Sequence, residues 1–231
     1  MNEFLFFATI LVSFLGVTLA FKLWDKHGLF VWVGFATIIA NIEVSKCVDI
    51  FGMSMTLGNV VYGSTFLCTD IISELYGGKE SRKAIRMGFF ALISFAVLSQ
   101  FSLAFQPNEY DEVSGAMHTL LSCTPRICLA SLAAYIVSNT MDTYLYDWIG
   151  RHTRRIWIKN NASTFTSQLV DSILFTELAF AGTFPQDTVI ELIITTYAAK
   201  GIVAVCDTPF VYWATRIHAK AANGDNCPTQ G

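Results

Sequence analysis

Residues 70–86 read DIISELYGGKESRKAIR, and this stretch decides how the rest of the chain is interpreted. Asp70 and Glu74 stand four residues apart at the end of an apolar run, so both carboxylates project from one face of a helix. Gly77 and Gly78 are expected to end that helix. Four basic residues follow, as is typical of the cytoplasmic end of a membrane helix: Lys79, Arg82, Lys83 and Arg86.

The composition of the chain excludes an ordinary soluble domain. Of its 231 residues 53% are hydrophobic and only 14% are charged, and nineteen are phenylalanine. The formal net charge of −3 says little, because acidic and basic residues are segregated along the chain. The composition predicts an all-α integral membrane protein, with residues 1–231 forming a single membrane domain.

Seven apolar runs are long enough to cross a bilayer, which takes roughly 20 helical residues. They cover residues 4–22, 29–47, 57–76, 86–105, 126–147, 165–184 and 188–214. The odd-numbered spans are followed by basic segments and the even-numbered spans by acidic or nearly uncharged ones. The basic segments contain Lys22 and Lys26, the block in residues 79–86, then Arg151, Arg154, Arg155 and Lys159, and finally Arg216 and Lys220. The positive-inside rule then predicts a plasma (inner) membrane protein with its N-terminus outside and its C-terminus in the cytosol.

Only three basic residues escape this pattern, and they lie in or at the edge of apolar spans: Lys46, Arg126 and Lys200. A cation in such a place normally has a partner or a function. On the second span, Asn41 and Glu43 accompany Lys46. This cluster either contacts a substrate, or Glu43 and Lys46 form an ion pair that only holds the helix in register.

Carboxylates inside the other spans are the next candidates, because a charge facing lipid is costly. Glu74 is expected to pair with basic residues at the cytoplasmic surface, whereas Asp70 lies one turn deeper and is expected to meet another helix. On the sixth span Gln168 and Asp171 lie one turn apart in a polar stripe that is aimed inward, and Glu177 lies off that stripe.

Lys200 is the cation closest to the middle of a predicted span, and Asp207 follows it by nearly two turns. Lys200 needs an anionic partner, for which we expect Glu43 or Glu177, or else its ammonium must lose a proton. We therefore expect Lys200 to take part in transport. The predicted substrate-binding residues are Asn41, Glu43, Lys46, Asp70, Gln168, Asp171, Glu177, Lys200 and Asp207. We predict no catalytic residues, no metal site and no cofactor.

Two stretches also resemble the signatures of a known family. The run at residues 70–86 is similar to the signature of the queuosine precursor transporters, also called vitamin uptake transporters. The stretch IWIKNNASTFTSQLVDSILF at residues 156–175 resembles the second signature of this family. Two long matches in the right order are fairly specific, and the resemblance covers roughly residues 29–216.

The resemblance implies a fold and a substrate. Residues 29–216 would form a six-helix core similar to the substrate-binding components of energy-coupling-factor vitamin transporters. Residues 1–28 would add one N-terminal helix, and residues 217–231 a cytoplasmic tail. The implied cargo is a precursor of the tRNA nucleoside queuosine, 7-cyano-7-deazaguanine or 7-aminomethyl-7-deazaguanine. Such a ring needs a carboxylate for its N–H groups, an amide or a cation for its carbonyl, and an aromatic face.

Three functions remain open from the sequence. The chain could transport alone, or it could bind substrate for a separate ATP-driven module, since it has no G-x-x-x-x-G-K-[ST] phosphate loop of its own. An intramembrane hydrolase is the remote third possibility, because neither G-x-S-x-G nor H-E-x-x-H occurs. The expected partners are a small-molecule deazapurine and the lipid bilayer, with a homodimer left open and nucleic acid not expected. We do not expect an enzyme.

Overall fold

The structure is a computed structural model that describes residues 1–152 and 156–224. Arg154, Arg155 and the end of the predicted tail lie outside the described residues, as do the side chains of Lys159 and Lys220. The described part contains seven helices and one two-stranded hairpin. In chain order these are α1 (Asn2–Glu43), β1 (Cys47–Ile50), β2 (Met53–Thr56), α2 (Gly58–Tyr76), α3 (Gly78–Ala104), α4 (Ser114–Leu121), α5 (Thr124–His152), α6 (Ile156–Phe180) and α7 (Gln186–Gly224).

Helix α1 consists of two arms that reverse direction at Asp25, where φ is 55° and ψ is −144°. Two close approaches show that the arms run antiparallel. A Cβ on Gly16 would lie 2.2 Å from the ring of Trp32, and a Cβ on Gly28 would lie 2.2 Å from the carbonyl oxygen of Ala20. In each pair the two residues are equally far along the chain from position 24, which is next to Asp25. The reversal agrees with the predicted separation of the first two spans.

The chain forms two compact units. Among the described residues, the first comprises 1–44, 57–94 and 201–224, and the second comprises 45–56, 95–152 and 156–200. In the first unit α2 packs along α1, and in the second α5 packs along α6. Helix α7 passes from the second unit to the first between Lys200 and Gly201.

The first unit has an apolar core and a polar cluster at the reversal of α1. Trp32 donates from its indole N–H to the Ser64 hydroxyl over 2.9 Å, which ties α1 to α2 inside the core. At the reversal, the Tyr76 hydroxyl donates to Asp25, and Lys26 lies 3.5 Å from the Glu80 carboxylate. These contacts hold the end of α2 and the start of α3 against the bend in α1.

The β-hairpin corrects the prediction that the structured part of the chain is wholly helical. The second span was expected to reach residue 47, but α1 ends at Glu43 and the chain then forms β1 and β2. Phe51 and Gly52 have positive φ values of 54° and 76°, as a two-residue hairpin turn requires. Hydropathy missed the hairpin because a four-residue strand beside an apolar run cannot be told from helix by periodicity.

Several helix boundaries also differ from the predicted spans. Gly77 ends α2 as predicted, with a φ of 85°, but α3 begins at the next residue. The basic block at residues 79–86 therefore lies in the first turns of α3 and not in a loop. Helix α6 covers Ile156–Phe180 instead of residues 165–184, because its polar first turns gave no hydropathy signal.

The short helix α4 in the acidic loop was not predicted. Asp111 lies just before the N-cap residue of this helix, Val113, and the Asp111 carboxylate accepts hydrogen bonds from the Ser114 hydroxyl and from the backbone N–H groups of Ser114 and Val113. These hydrogen bonds hold the pKa of Asp111 below its usual value, and the bond from the Ser114 hydroxyl has the largest effect. A preceding Asp is a common helix start signal, but an eight-residue helix is too short for its period to stand out.

Three segments of the described residues are long and apolar enough to cross a membrane: Asn2–Glu43, Gly78–Ala104 and Ser114–Ser138. The protein is therefore a helical membrane protein with one small hairpin.

Candidate functional site

The second unit contains an ion pair between α6 and α7. The ammonium of Lys200 contacts Oδ2 of Asp171, and the two side chains are only 11% and 20% exposed. A largely buried charge without a partner would be costly, so the charge of each residue is balanced by that of the other. The pair corrects our expectation that Glu43 or Glu177 would be the partner of Lys200.

The other oxygen of Asp171 is held by a third helix. The Ser138 hydroxyl of α5 lies 3.1 Å from Asp171 Oδ1 and 3.2 Å from the carbonyl oxygen of Tyr135. Three helices of the second unit therefore meet at one carboxylate. Sequence reasoning missed Ser138, because a lone serine in an apolar helix usually bonds only to a carbonyl of the preceding turn.

Gln168 lies one turn before Asp171 on α6, as the predicted polar stripe requires. Its Oε1 atom is buried and accepts no hydrogen bond within the part of the protein that the structure describes. The Ser172 hydroxyl, on the same stripe, donates to the carbonyl oxygen of Gln168 over 2.8 Å. A buried acceptor without a donor is costly, and a ligand N–H group or a water molecule would satisfy it.

Glu177 and Arg126 lie at the far end of α6, away from this stripe. Glu177 Oε1 accepts a hydrogen bond from the Gln186 side chain over 3.3 Å. Arg126 donates to the carbonyl oxygens of Leu178 and Ala181 at 2.9 and 2.6 Å, and to Thr183 Oγ1. Arg126 therefore caps the last turn of α6, which explains this cation at the edge of a span.

The structure places Lys46 outside the predicted helix and Asp70 on the predicted one. Lys46 is exposed in the segment before β1, so it shares no helix face with Glu43. Asp70 is on α2 as expected, but its side chain is exposed on the surface of the described chain. Among the described residues no hydrogen bond or ion pair joins Asp70 to another helix, so the expectation that it meets one stays a prediction.

The remaining predicted residues belong to the first unit. Asn41 and Asp207 are both buried, at 6% exposure each, and Glu43 is half-buried as the last residue of α1. The Oδ1 atom of Asn41 has no hydrogen-bond partner among the described residues. Asn41 thus resembles Gln168 of the second unit in offering an unused buried acceptor.

The ion pair and Gln168 bring three kinds of polar group together in the second unit. Lys200 offers a charged donor, and beside it Asp171 offers a charged acceptor. Gln168 adds a neutral acceptor one turn away. The two charges cancel, so the arrangement suits an uncharged molecule with several hydrogen-bonding groups on one edge.

Comparisons with known proteins agree on a family. The family model described as "Putative vitamin uptake transporter" matches residues 56–214. A protein of Bacillus subtilis (strain 168), "Probable queuosine precursor transporter", is 41% identical over 94% of this chain and 95% of its own length. The "Queuosine precursor transporter" of Escherichia coli (strain K12) is 25% identical over 72% of this chain and 75% of its own.

A "Probable queuosine precursor transporter" of Haemophilus influenzae is 28% identical over 56% of this chain and 54% of its own length. No solved structure matches the chain. The match to the family model covers more than half of the chain, and the B. subtilis relative aligns with nearly all of it. The resemblance carried by residues 70–86 and 156–175 is thereby confirmed, and the chain belongs to the vitamin uptake transporter family, whose relatives named above are called queuosine precursor transporters.

Proposed function

We propose that this chain imports a 7-deazaguanine precursor of queuosine across the plasma membrane, and that the substrate binds at Asp171 and Lys200. The observation that carries the proposal is the largely buried ion pair between α6 and α7. A membrane protein retains such a pair at a cost, and intramembrane charges most often mark the path of a substrate or an ion. The names of the relatives supply the class of substrate.

The hydrogen-bonding edge of a deazaguanine fits these groups. Lys200 would donate to the ring carbonyl, and Asp171 would accept from the neighbouring ring N–H and the amino group. Gln168 Oε1 would accept a further N–H. Hydrogen bonds to charged groups contribute about 1.5–3 kcal/mol each, so the pair would provide most of the polar affinity. Contacts from Asn41, Glu43, Lys46, Asp70 and Asp207 stay predictions from the sequence, and Glu177 is left out of the proposal because its carboxylate bonds to Gln186.

Asp171→Asn is expected to remove substrate binding. The amide has no charge and replaces one acceptor oxygen by a donor, so it repels the ring N–H group. We expect 7-cyano-7-deazaguanine to raise the melting temperature of the purified wild-type protein and to leave that of the variant unchanged. Glu177→Gln is the matched control, because its carboxylate bonds to Gln186 at the end of α6. An equal thermal shift in the Asp171 variant would remove this carboxylate from the site.

The membrane topology is part of the proposal. We propose seven crossings with the N-terminus outside and the C-terminus inside, a core at residues 29–216 similar to energy-coupling-factor components, an extra helix at 1–28 and a tail at 217–231. The three apolar segments and the alternation of charged loops support it.

Cysteine labelling in intact cells tests this topology. In a variant without the native cysteines, Asn108→Cys is expected to react with a membrane-impermeant maleimide, and Arg151→Cys only after the cells are opened. Both positions are exposed in the folded chain, so a difference in labelling reports the side of the membrane. Reaction of both in intact cells would contradict the orientation.

A second candidate is a substrate-binding component that depends on a separate ATP-driven module. The absence of a phosphate loop from the sequence favours this candidate over an ATPase within the chain. Uptake of 7-cyano-7-deazaguanine into liposomes by the purified chain, alone or as a homodimer, would support independent transport. Binding without uptake would support the module. Catalysis is not part of the proposal, because the relatives are named as transporters.

A further inference from the structure

We propose that Ser138 is a positioning residue of the substrate site, which holds the Asp171 carboxylate in the orientation that Lys200 and the substrate require. The inference rests on the proposed function, because it assigns Ser138 a role in binding the same substrate. It goes beyond that function, since neither the sequence nor the relatives point to Ser138.

The two oxygens of Asp171 are divided between two helices. Oδ1 receives the Ser138 hydroxyl from α5 at 3.1 Å, and Oδ2 receives the ammonium of Lys200 from α7. An aspartate carboxylate rotates easily about χ2, because terminal torsions of this kind have broad minima. With one partner on each oxygen, the plane of the carboxylate is fixed. A fixed plane leaves one lone pair of each oxygen in a defined direction for the N–H groups of a ligand.

The Ser138 hydroxyl has one proton and two acceptors within reach, Asp171 Oδ1 and the Tyr135 carbonyl oxygen at 3.2 Å. The charged acceptor is the stronger, so the proton belongs on the carboxylate side. Ser138 is 93% buried, so bulk water has little access to its hydroxyl. When a substrate draws Lys200 toward its carbonyl, Ser138 keeps Asp171 oriented for the N–H groups.

Ser99 provides a matched comparison in the same unit. It is also buried, and its hydroxyl lies 2.9 Å from the carbonyl oxygen of Ala96 three residues earlier. Ser99 and Ser138 therefore share burial, helical position and a backbone acceptor. The carboxylate contact is the feature that distinguishes Ser138.

The test compares Ser138→Ala with Ser99→Ala in liposome uptake of 7-cyano-7-deazaguanine. A lost hydrogen bond to a charged group predicts that KM rises roughly tenfold in Ser138→Ala, with little change in the maximal rate. Ser99→Ala is expected to keep the wild-type KM. Ser138→Thr retains the hydroxyl and is expected to restore KM to within about threefold of the wild-type value.

Two results would overturn the inference: an unchanged KM in Ser138→Ala, whatever its melting temperature, or an equal rise in KM in Ser99→Ala. If Ser138→Ala does not fold, Ser138→Cys replaces it, because a thiol is a weaker donor of similar size. An intermediate KM then supports the inference, and a wild-type KM contradicts it. If the wild-type chain binds 7-cyano-7-deazaguanine without transporting it, the ligand concentration at half-maximal thermal shift replaces KM in the same comparison. If the wild-type chain does not bind it at all, or Asp171→Asn binds it normally, the proposed function fails instead. Loss of binding in Asp171→Asn with no effect of Ser138→Ala would refute the inference alone.

Discussion

Lys200→Met is expected to lower the free energy of unfolding by about 3–5 kcal/mol, because it leaves the largely buried Asp171 carboxylate without its cation. Methionine fills most of the volume of the lysine stem, so the loss reports the missing charge and not a cavity. Unfolding of the detergent-solubilised protein, followed by tryptophan fluorescence, measures the change. Uptake is expected to be lost as well, since the donor to the substrate carbonyl is gone.

A second substitution identifies the partner. Asp171→Asn in the Lys200→Met protein removes the orphaned anion, so we expect most of the lost stability to return while uptake stays absent. Glu177→Gln in the Lys200→Met protein is the control, and it is expected to restore nothing, because Glu177 bonds to Gln186. Recovery with the Glu177 substitution and not with the Asp171 substitution would contradict the pairing.

The helical framework was largely predictable from the sequence. The predicted span at residues 57–76 agrees with α2 (Gly58–Tyr76), because a long apolar run and a glycine with positive φ mark both its body and its end. The bend in α1 was also predictable, since the polar residues around Asp25 interrupt the apolar pattern. Hydropathy detects features of this kind because burial in lipid imposes them on every residue of a span.

The pairing at the site was not predictable in the same way. Asp171 and Lys200 are 29 residues apart and lie on different helices, so their contact depends on how α6 and α7 are rotated about their axes. Periodicity places Asp171 on an inward face but cannot choose between Lys200 and another cation. Energetic reasoning did predict that Lys200 needs a carboxylate partner, but it named Glu43 or Glu177 and not Asp171.

Gly28→Ala is expected to have the other large effect, through the fold and not through the site. A Cβ at this position would lie 2.2 Å from the carbonyl oxygen of Ala20 and 2.7 Å from the carbonyl carbon. These are backbone atoms, so no change of rotamer relieves the contact, and the two arms of α1 must move apart. We expect the free energy of unfolding to fall by at least about 3 kcal/mol, despite the higher helix propensity of alanine.

Gly34→Ala is the matched control in the same arm of α1. Its Cβ would lie 3.5 Å from the Cβ of Ala91, an ordinary van der Waals contact, and the gain in helix propensity is about 1 kcal/mol. We therefore expect this variant to be as stable as the wild type or slightly more so in the same unfolding measurement. Equal stability of the Gly28 and Gly34 variants would contradict the close antiparallel approach of the two arms. Such a result would also remove the steric reason for a glycine at position 28, because the Cβ of an alanine there would then not clash with the Ala20 backbone.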